Sequence, residues 1–204
     1  MANIDIMVPH ILMWEVLIKD KAVAKKRDAM IKAGASGREL YNLVSPYGYH
    51  CIAGDSGKDT MCGVTIGTFR EWRQQQGKPR PSVADLKALQ YDEWLEILKH
   101  VFWDRCKADQ IRNASIALMM VDWCWLNGAT TAIRQMQAAF GLATDGIIGV
   151  KSLAALNASP AASVFSRLKT ARLRSYDKIV AARPSQMLFY NGWCNRTNSI
   201  QFKT

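Results

Sequence analysis

The sequence predicts a mainly α protein with one small irregular or β-rich patch between about residues 47 and 67. Apolar residues recur at helical spacing over most of the chain, which marks helices with one buried face. Glycine and proline interrupt that pattern at intervals and punctuate it into separate helices. Gly48, Gly54, Gly57, Gly63 and Gly67 crowd into one stretch with Asp, Ser and Thr, a composition of turns and a small hairpin.

Val8, Ile11, Leu12, Glu15, Ile18 and Ala22 follow the i, i+3, i+4, i+7 rule. Pro9 suits a first turn, so a helix is expected to begin near residue 9 with Glu15 inside its apolar stripe. A polar stretch rich in Lys and Ala follows, and a short helix is expected over Arg38 to Val44, stopped by Pro46. Beyond the glycine-rich patch, Phe69 and Trp72 restore the helical pattern until Gly77, Pro79 and Pro81 break it. Ser82 with Asp85 reads as a capping box ahead of Leu86 and Leu89. Trp94, Ile97, Leu98, Val101 and Phe102 give another amphipathic helix.

Ile116 to Leu126 is apolar nearly all round, as a central buried helix should be. Asn127 and Gly128 close it. Ile133, Met136 and Phe140 face the core from the next helix, which Gly141 ends. Asp145, Gly146 and Gly149 mark a tight loop before a short helix over Lys151 to Asn157. Ser159 and Pro160 then read as N-cap and first turn of a long final helix carrying Val164, Phe165, Leu168, Tyr176 and Ile179 and ending before Pro184.

The chain has 204 residues, nearly half of them apolar, enough to bury a core without disulfides. Its five cysteines are an odd number and include no C-x-x-C pair, so reduced, buried thiols are expected. The start lacks a basic n-region and reaches Asp5, Pro9 and Glu15 early, which does not read as a signal peptide. The most apolar segment is interrupted by Asp122 and is shorter than the ~20 residues of a membrane span, so no membrane insertion is expected. The net charge of +10 calls for an anionic partner. The basic residues are dispersed, however, and no zinc-finger spacing, Walker loop or RNA-recognition motif supports a nucleic-acid partner. His10, His50 and His100 have no metal-ligand spacing. Asp122, alone in its apolar helix, is expected to be a structural group bonded to backbone or to a basic side chain. The seven tryptophans are expected mainly in the core, with Trp72, Trp103 and Trp193 able to stack on a sugar face.

Two carboxylates stand out as a contrasting pair. Glu15, beside Trp14 on a core-facing stripe, would be partly desolvated, which raises a carboxyl pKa and suits a general acid. Asp55, between Gly54 and Ser56, would stay hydrated and charged, and the Thr60 hydroxyl could position a water or a sugar. On pattern alone the structural readings are the commoner ones, an ion pair for the glutamate and a turn for the aspartate.

Ile11-Leu-Met-Trp-Glu15, then Tyr49, then Asp55-Ser-Gly57-Lys-Asp-Thr60-Met-Cys-Gly63-Val-Thr65 resemble the signature of glycoside hydrolase family 108, W-E-G-G-Y followed by D-P-x-D-x-G-G-x-T-x-x-G-(I/V)-T. The similarity continues through Phe102-Trp-Asp104-Arg105, Asp122-Trp and Asn127-Gly128. Further on, Arg134-Gln-Met-Gln137, Asp145-Gly-Ile-Ile-Gly149, Ala171-Arg172-Leu with Tyr176, and Gly192-Trp193-Cys-Asn195-Arg196 resemble the predicted peptidoglycan-binding domain that follows in relatives.

The resemblance implies a lysozyme-like helical fold and a muramidase-like region over 1–105, followed by a helical peptidoglycan-binding-type region over 106–204, packed as one unit. It implies an N-acetylmuramidase that cleaves the β-1,4 glycan bond of peptidoglycan, with Glu15 as acid, Asp55 as second carboxylate and Thr60 beside them, and no cofactor. The partner is peptidoglycan, and the setting is a protein made in the cytoplasm that reaches the cell wall after holin-like or other release. The alternative is an inactive wall-binding protein that keeps the fold; a basic nucleic-acid binder ranks last.

The sequence departs from the family pattern in two places. Glu15 is followed by Val16, Leu17 and Ile18 where the family has G-G-Y, and counting back from Asp55 lands on Pro46. Either a segment, 16–46, has been inserted after Glu15, or the acid has been lost. The insertion is the favoured reading, because surface excursions of this length carry a modest closure cost, and it predicts a helical surface segment. Lys58 also replaces the second loop glycine.

Overall fold

A computed structural model describes residues 2–51 and 59–204 and shows a mainly α chain with a small antiparallel sheet, the lysozyme-like class expected from the sequence. Asp55, Gly57 and Lys58 lie outside the described residues. The chain divides into two compact units: residues 7–99, and residues 1–6 together with 100–204.

The 7–99 unit opens with α1 (Met7–Glu15), which buries Met7, Val8, Ile11 and Leu12. The expected apolar stripe is present but ends at Glu15, because the chain leaves the helix and Asp20 starts a new one. This helix, α2 (Lys21–Lys32), falls in the stretch read only as polar. Asp20 accepts from the backbone N–H groups of Ala22 and Val23, and no α2 residue is buried, so capping and propensity shape it where no apolar period could reveal it. Then α3 (Gly37–Val44), held by a capping box between Ser36 and Glu39, buries Leu40, Tyr41 and Val44. The segment 16–46 is therefore a surface excursion only in its α2 half, since α3 has a strong apolar face of its own. Gly37 permits the close packing of α3: a Cβ there would lie 2.9 Å from Val8 Cγ1 of α1 and 2.5 Å from the Tyr91 hydroxyl.

Strands β1 (Tyr49–Cys51), β2 (Asp59–Met61) and β3 (Val64–Thr65) form one sheet in that order, both pairs antiparallel. Thr65 caps α4 (Ile66–Gln75), its hydroxyl accepting from Thr68 N–H at 3.1 Å. The Ser82–Asp85 capping box is made in both directions at the head of α5 (Val83–Lys87). The last helix of this unit is α6 (Tyr91–Ile97), from which a π-helical segment, Leu98–Trp103, leads on along the chain.

In the other unit, α7 (Ala114–Asn127) is buried along most of its length, as its all-round apolar sequence requires. Beside it lie α8 (Ala129–Ala139) and the 22-residue α10 (Ala161–Ala182), with α9 (Val150–Leu156) and α11 (Met187–Ser199) against α10. Two expectations are corrected here. Ser159 does not cap α10, which starts after Pro160 without a side-chain cap bond. Nor is α10 the final helix, because α11 follows; Gly192 and scattered polar residues hide its helical period.

Asp122, the charge inside α7, is fully buried between two arginines. Arg172 Nη2 donates to its Oδ2 at 2.7 Å, and Arg196 donates to Oδ1 through Nη2 at 2.6 Å and Nε at 3.0 Å. Arg172 Nε also reaches the Tyr176 hydroxyl at 2.6 Å, which is 3.2 Å from Thr197 Oγ1. Gln137, buried in α8, holds the Asp145–Gly149 loop: Nε2 donates to Asp145 Oδ1 and Ile147 O, and Oε1 accepts from Gly146 N–H.

All five cysteines are free. Trp72 and Trp103 are buried core residues, not exposed stacking platforms. Trp193 is half-buried against Tyr176 and Phe189.

Candidate active site

The centre of the 7–99 unit is the turn between β2 and β3. Met61 and Val64 pair across it, leaving the two-residue loop Cys62-Gly63 with φ of 46° and 83°. Positive φ at both positions is the signature of a type I′ hairpin turn, which glycine accepts freely and cysteine does not. Three fixed contacts hold Cys62 there. Its N–H donates to Gly48 O at 2.9 Å, its carbonyl accepts from Trp94 Nε1 at 3.0 Å, and its thiol is fully buried.

The thiol packs so tightly over Gly48 that a Cβ at that residue would lie 2.3 Å from Cys62 Sγ and 3.3 Å from Cys62 N. Gly48 has an ordinary φ of −82°, so space and not backbone freedom fixes the residue. Gly48→Ala is therefore expected to destabilise the protein by ~1–3 kcal/mol through overpacking; an unchanged urea midpoint would show that the turn can move aside.

Behind the turn, Tyr41 from α3 and Tyr91 and Trp94 from α6 form an aromatic cluster, with ring centroids 5.4–6.2 Å apart. The Tyr41 hydroxyl donates to Leu89 O at 2.6 Å. Burial and the proximity of Cys62 push its phenol well above the ordinary range. Glu15 belongs to the same neighbourhood. The Cys62 thiol is pushed up to about 12, first by burial and then by the negative charge of Glu15, with a hydrogen bond to Tyr41 acting the other way. That thiol stays protonated and is not a nucleophile. Thr60 lies two residues before Cys62 along the chain.

Glu15 is half-buried, on the same stripe as Ile11 and Leu12. Thr60 is buried in β2, paired with His50 on one side and Thr65 on the other. Thr60 thus lies in the strand that leads into the turn, the Glu15 charge helps to raise the Cys62 thiol, and Asp55, expected as the second carboxylate, lies outside the described residues.

Most other carboxylates of this unit have structural employment. Asp20 caps α2, Glu39 and Asp85 complete capping boxes, and Asp92 pairs with Arg38. Glu93 accepts from Arg73 at 2.6 Å, with Lys78 at 3.5 Å. Hydrogen bonds from Ser36 hold the Glu39 carboxyl below its usual range, which is the wrong direction for a proton donor.

One pair escaped the sequence reading. The Tyr49 hydroxyl donates to Asp59 Oδ1 at 2.6 Å, a diagonal contact between β1 and β2. That bond, more than burial, pushes the Tyr49 phenol up to about 12. Lys87 Nζ sits 4.2 Å from the centre of the Tyr49 ring. Only the β1–β2 register brings Tyr49 and Asp59 together, so residue order alone held no signal for it. Among the described residues no cluster of His, Cys, Asp and Glu could hold a metal ion, and no helix is long and apolar enough to cross a membrane.

Residues 48–128 match the family model described as Glycosyl hydrolase 108, and residues 131–198 match that described as Predicted Peptidoglycan domain. Among solved structures, the chain is similar to Brucella abortus SagA, with 24% sequence identity and a TM-score of 0.65, over 88% of this chain and 91% of that one. At that identity the likeness is one of fold. No curated protein gives a significant match. The first family match begins at Gly48 and so does not itself reach Glu15.

Proposed function

We propose that the protein is a peptidoglycan hydrolase, an N-acetylmuramidase acting on the β-1,4 glycan bond, a reading supported by the match of residues 48–128 to the Glycosyl hydrolase 108 model and of residues 131–198 to the Predicted Peptidoglycan domain model. What supports this reading is the pair of family matches, together with a half-buried Glu15 at the end of α1 whose charge helps to raise the Cys62 thiol of the β2–β3 turn. In this reading residues 1–105 carry catalysis and 106–204 hold the wall.

Glu15 donates a proton to the departing sugar oxygen. Asp55 is the charged carboxylate that stabilises the oxocarbenium-like transition state or activates water, and Thr60 positions the reacting group. No cofactor is required for this chemistry. The protein acts on the cell wall, in the periplasm, after release from the cytoplasm by a holin or another route.

Digestion of purified peptidoglycan, followed by borohydride reduction and end-group analysis, tests the reaction. Reduced muramic acid is the expected new end. Reduced glucosamine would make the enzyme a glucosaminidase, and no new end would favour an inactive wall-binding protein. That second reading draws its support from the family match that starts after Glu15. As a control, Glu39→Gln is expected to leave the cleavage rate unchanged, since its carboxylate serves the capping box; a large loss of rate would move the acid to Glu39.

A further inference from the structure

Beyond Asp145 the chain carries a single acidic residue, Asp177, against nine lysines and arginines. Three of these cations share one groove. A cavity of about 630 Å³ runs between α8 and α10, lined by Arg167, Arg174 and Lys178 with no carboxylate among its walls. Positions 167, 174 and 178 are two turns and then one turn apart, so they lie in a row along α10. The hydroxyls of Ser166 and Thr170 lie in the same row, and Gln135 faces them from α8.

Two features make this a formed site and not only a charged surface. Arg167 is fixed: its Nε donates to Ala139 O at 2.9 Å and its guanidinium lies 4.8 Å from the centre of the Phe140 ring. Holding the fork in place before binding reduces the ordering cost of a contact with an anion. Gln135 Oε1 is buried without a hydrogen-bond partner, and an acceptor in that state gains most from an incoming N–H donor. From Ser163 to Lys178 the groove floor is about 22 Å long at 1.5 Å per residue, enough for an extended peptide of four or five residues at about 3.3 Å each.

We propose that the α8–α10 groove binds the carboxylate-bearing peptide stems of peptidoglycan. The cations meet the stem carboxylates, and Gln135 and the hydroxyls meet its amides. A neutral sugar chain would leave the row of cations unused. This assignment rests on the peptidoglycan reading above and adds to it which part of the polymer the second region holds.

The test uses the full chain with five probes: purified sacculi, a soluble anionic stem tetrapeptide, neutral chitotetraose, duplex DNA and anionic phospholipid vesicles. Arg174→Gln with Lys178→Gln, both exposed, is expected to weaken binding to sacculi and to the stem peptide about tenfold while leaving the melting temperature unchanged. Lys151→Gln with Lys203→Gln, which removes the same charge away from the groove, is expected to bind as wild type. Equal stem binding by wild type and the groove variant, or wild-type preference for chitotetraose, would overturn the assignment. So would tighter, equally variant-sensitive binding to duplex DNA or to anionic phospholipid vesicles. If the wild type bound no sacculi at all, the peptidoglycan reading itself would fall, a result distinct from a groove variant that binds normally.

Discussion

Glu15→Gln is expected to lower glycan cleavage by about 10²–10⁴-fold, the usual worth of a positioned general acid, while the protein folds and binds the wall as before. The substitution keeps the shape of the side chain and removes only its proton. Glu15 is the last residue of α1, and glutamine fills the same half-buried space. The Glu15 charge raises the buried Cys62 thiol, which would titrate lower once that charge is gone. Asp55→Asn should be comparably impaired, since a neutral amide can neither balance a developing positive sugar nor activate water. Release of reducing ends from purified peptidoglycan, with circular dichroism as the check on folding, measures both. A Glu15→Gln protein that cleaves at the wild-type rate would remove Glu15 from the mechanism.

The largest effect on stability is expected at the other buried carboxylate. Asp122→Ala leaves Arg172 and Arg196 buried without their counter-charge, and breaking a buried ion pair in this way costs ~3–5 kcal/mol, a large share of the ~5–15 kcal/mol that stabilises a typical fold. Asp122 and Arg172 are fully buried and Arg196 nearly so, so solvent screening does not reduce that figure. Urea denaturation should show the loss directly. The triple change Asp122→Leu, Arg172→Met, Arg196→Met removes all three charges together and is expected to recover much of it. A single Asp122→Ala variant as stable as wild type would mean that water enters the cluster.

The same triad shows that the end of the glycosyl hydrolase match, residues 100–128, packs into one core with the peptidoglycan match. Asp122 falls in the stretch matched to the glycosyl hydrolase family, Arg172 and Arg196 in the stretch matched to the peptidoglycan domain, and all three belong to one compact unit. A family boundary drawn near residue 130 therefore marks no break in packing.

What the sequence disclosed and what it hid follow from the same physics. α7 was legible because every position from Ile116 to Leu126 except Asp122 is apolar, and the head of α5 because Ser82 and Asp85 bond each other over three residues. α2 was not, because a helix that buries nothing leaves no apolar period. The helix after α1 was hidden for a second reason: Asp20 restarts the chain in a new direction while Ile18 and Ala22 still fit the old stripe. The site divides in the same way. Glu15 and Thr60 could be nominated from residue type and resemblance, but the packing of α3 against α1 through Gly37, a contact between residues 29 positions apart, could not. The Cys62 turn could not be foreseen, because nothing local favours a cysteine with positive φ; Trp94 and Gly48, distant in sequence, hold it.

The order in which the chain visits its two units also bears on its synthesis. The 7–99 unit is contiguous, so it can close as soon as residue 99 clears the ribosome, and chains emerge at about 5–20 residues per second. The other unit begins earlier and finishes later. Ala2 N–H must wait for Ile111 O, Asn113 binds the carbonyl of Lys203, and Ser115 accepts from the Lys203 N–H. A nascent chain halted between Arg172 and Arg196 would have a complete 7–99 unit while Asp122 was still supplied with only one of its two arginines.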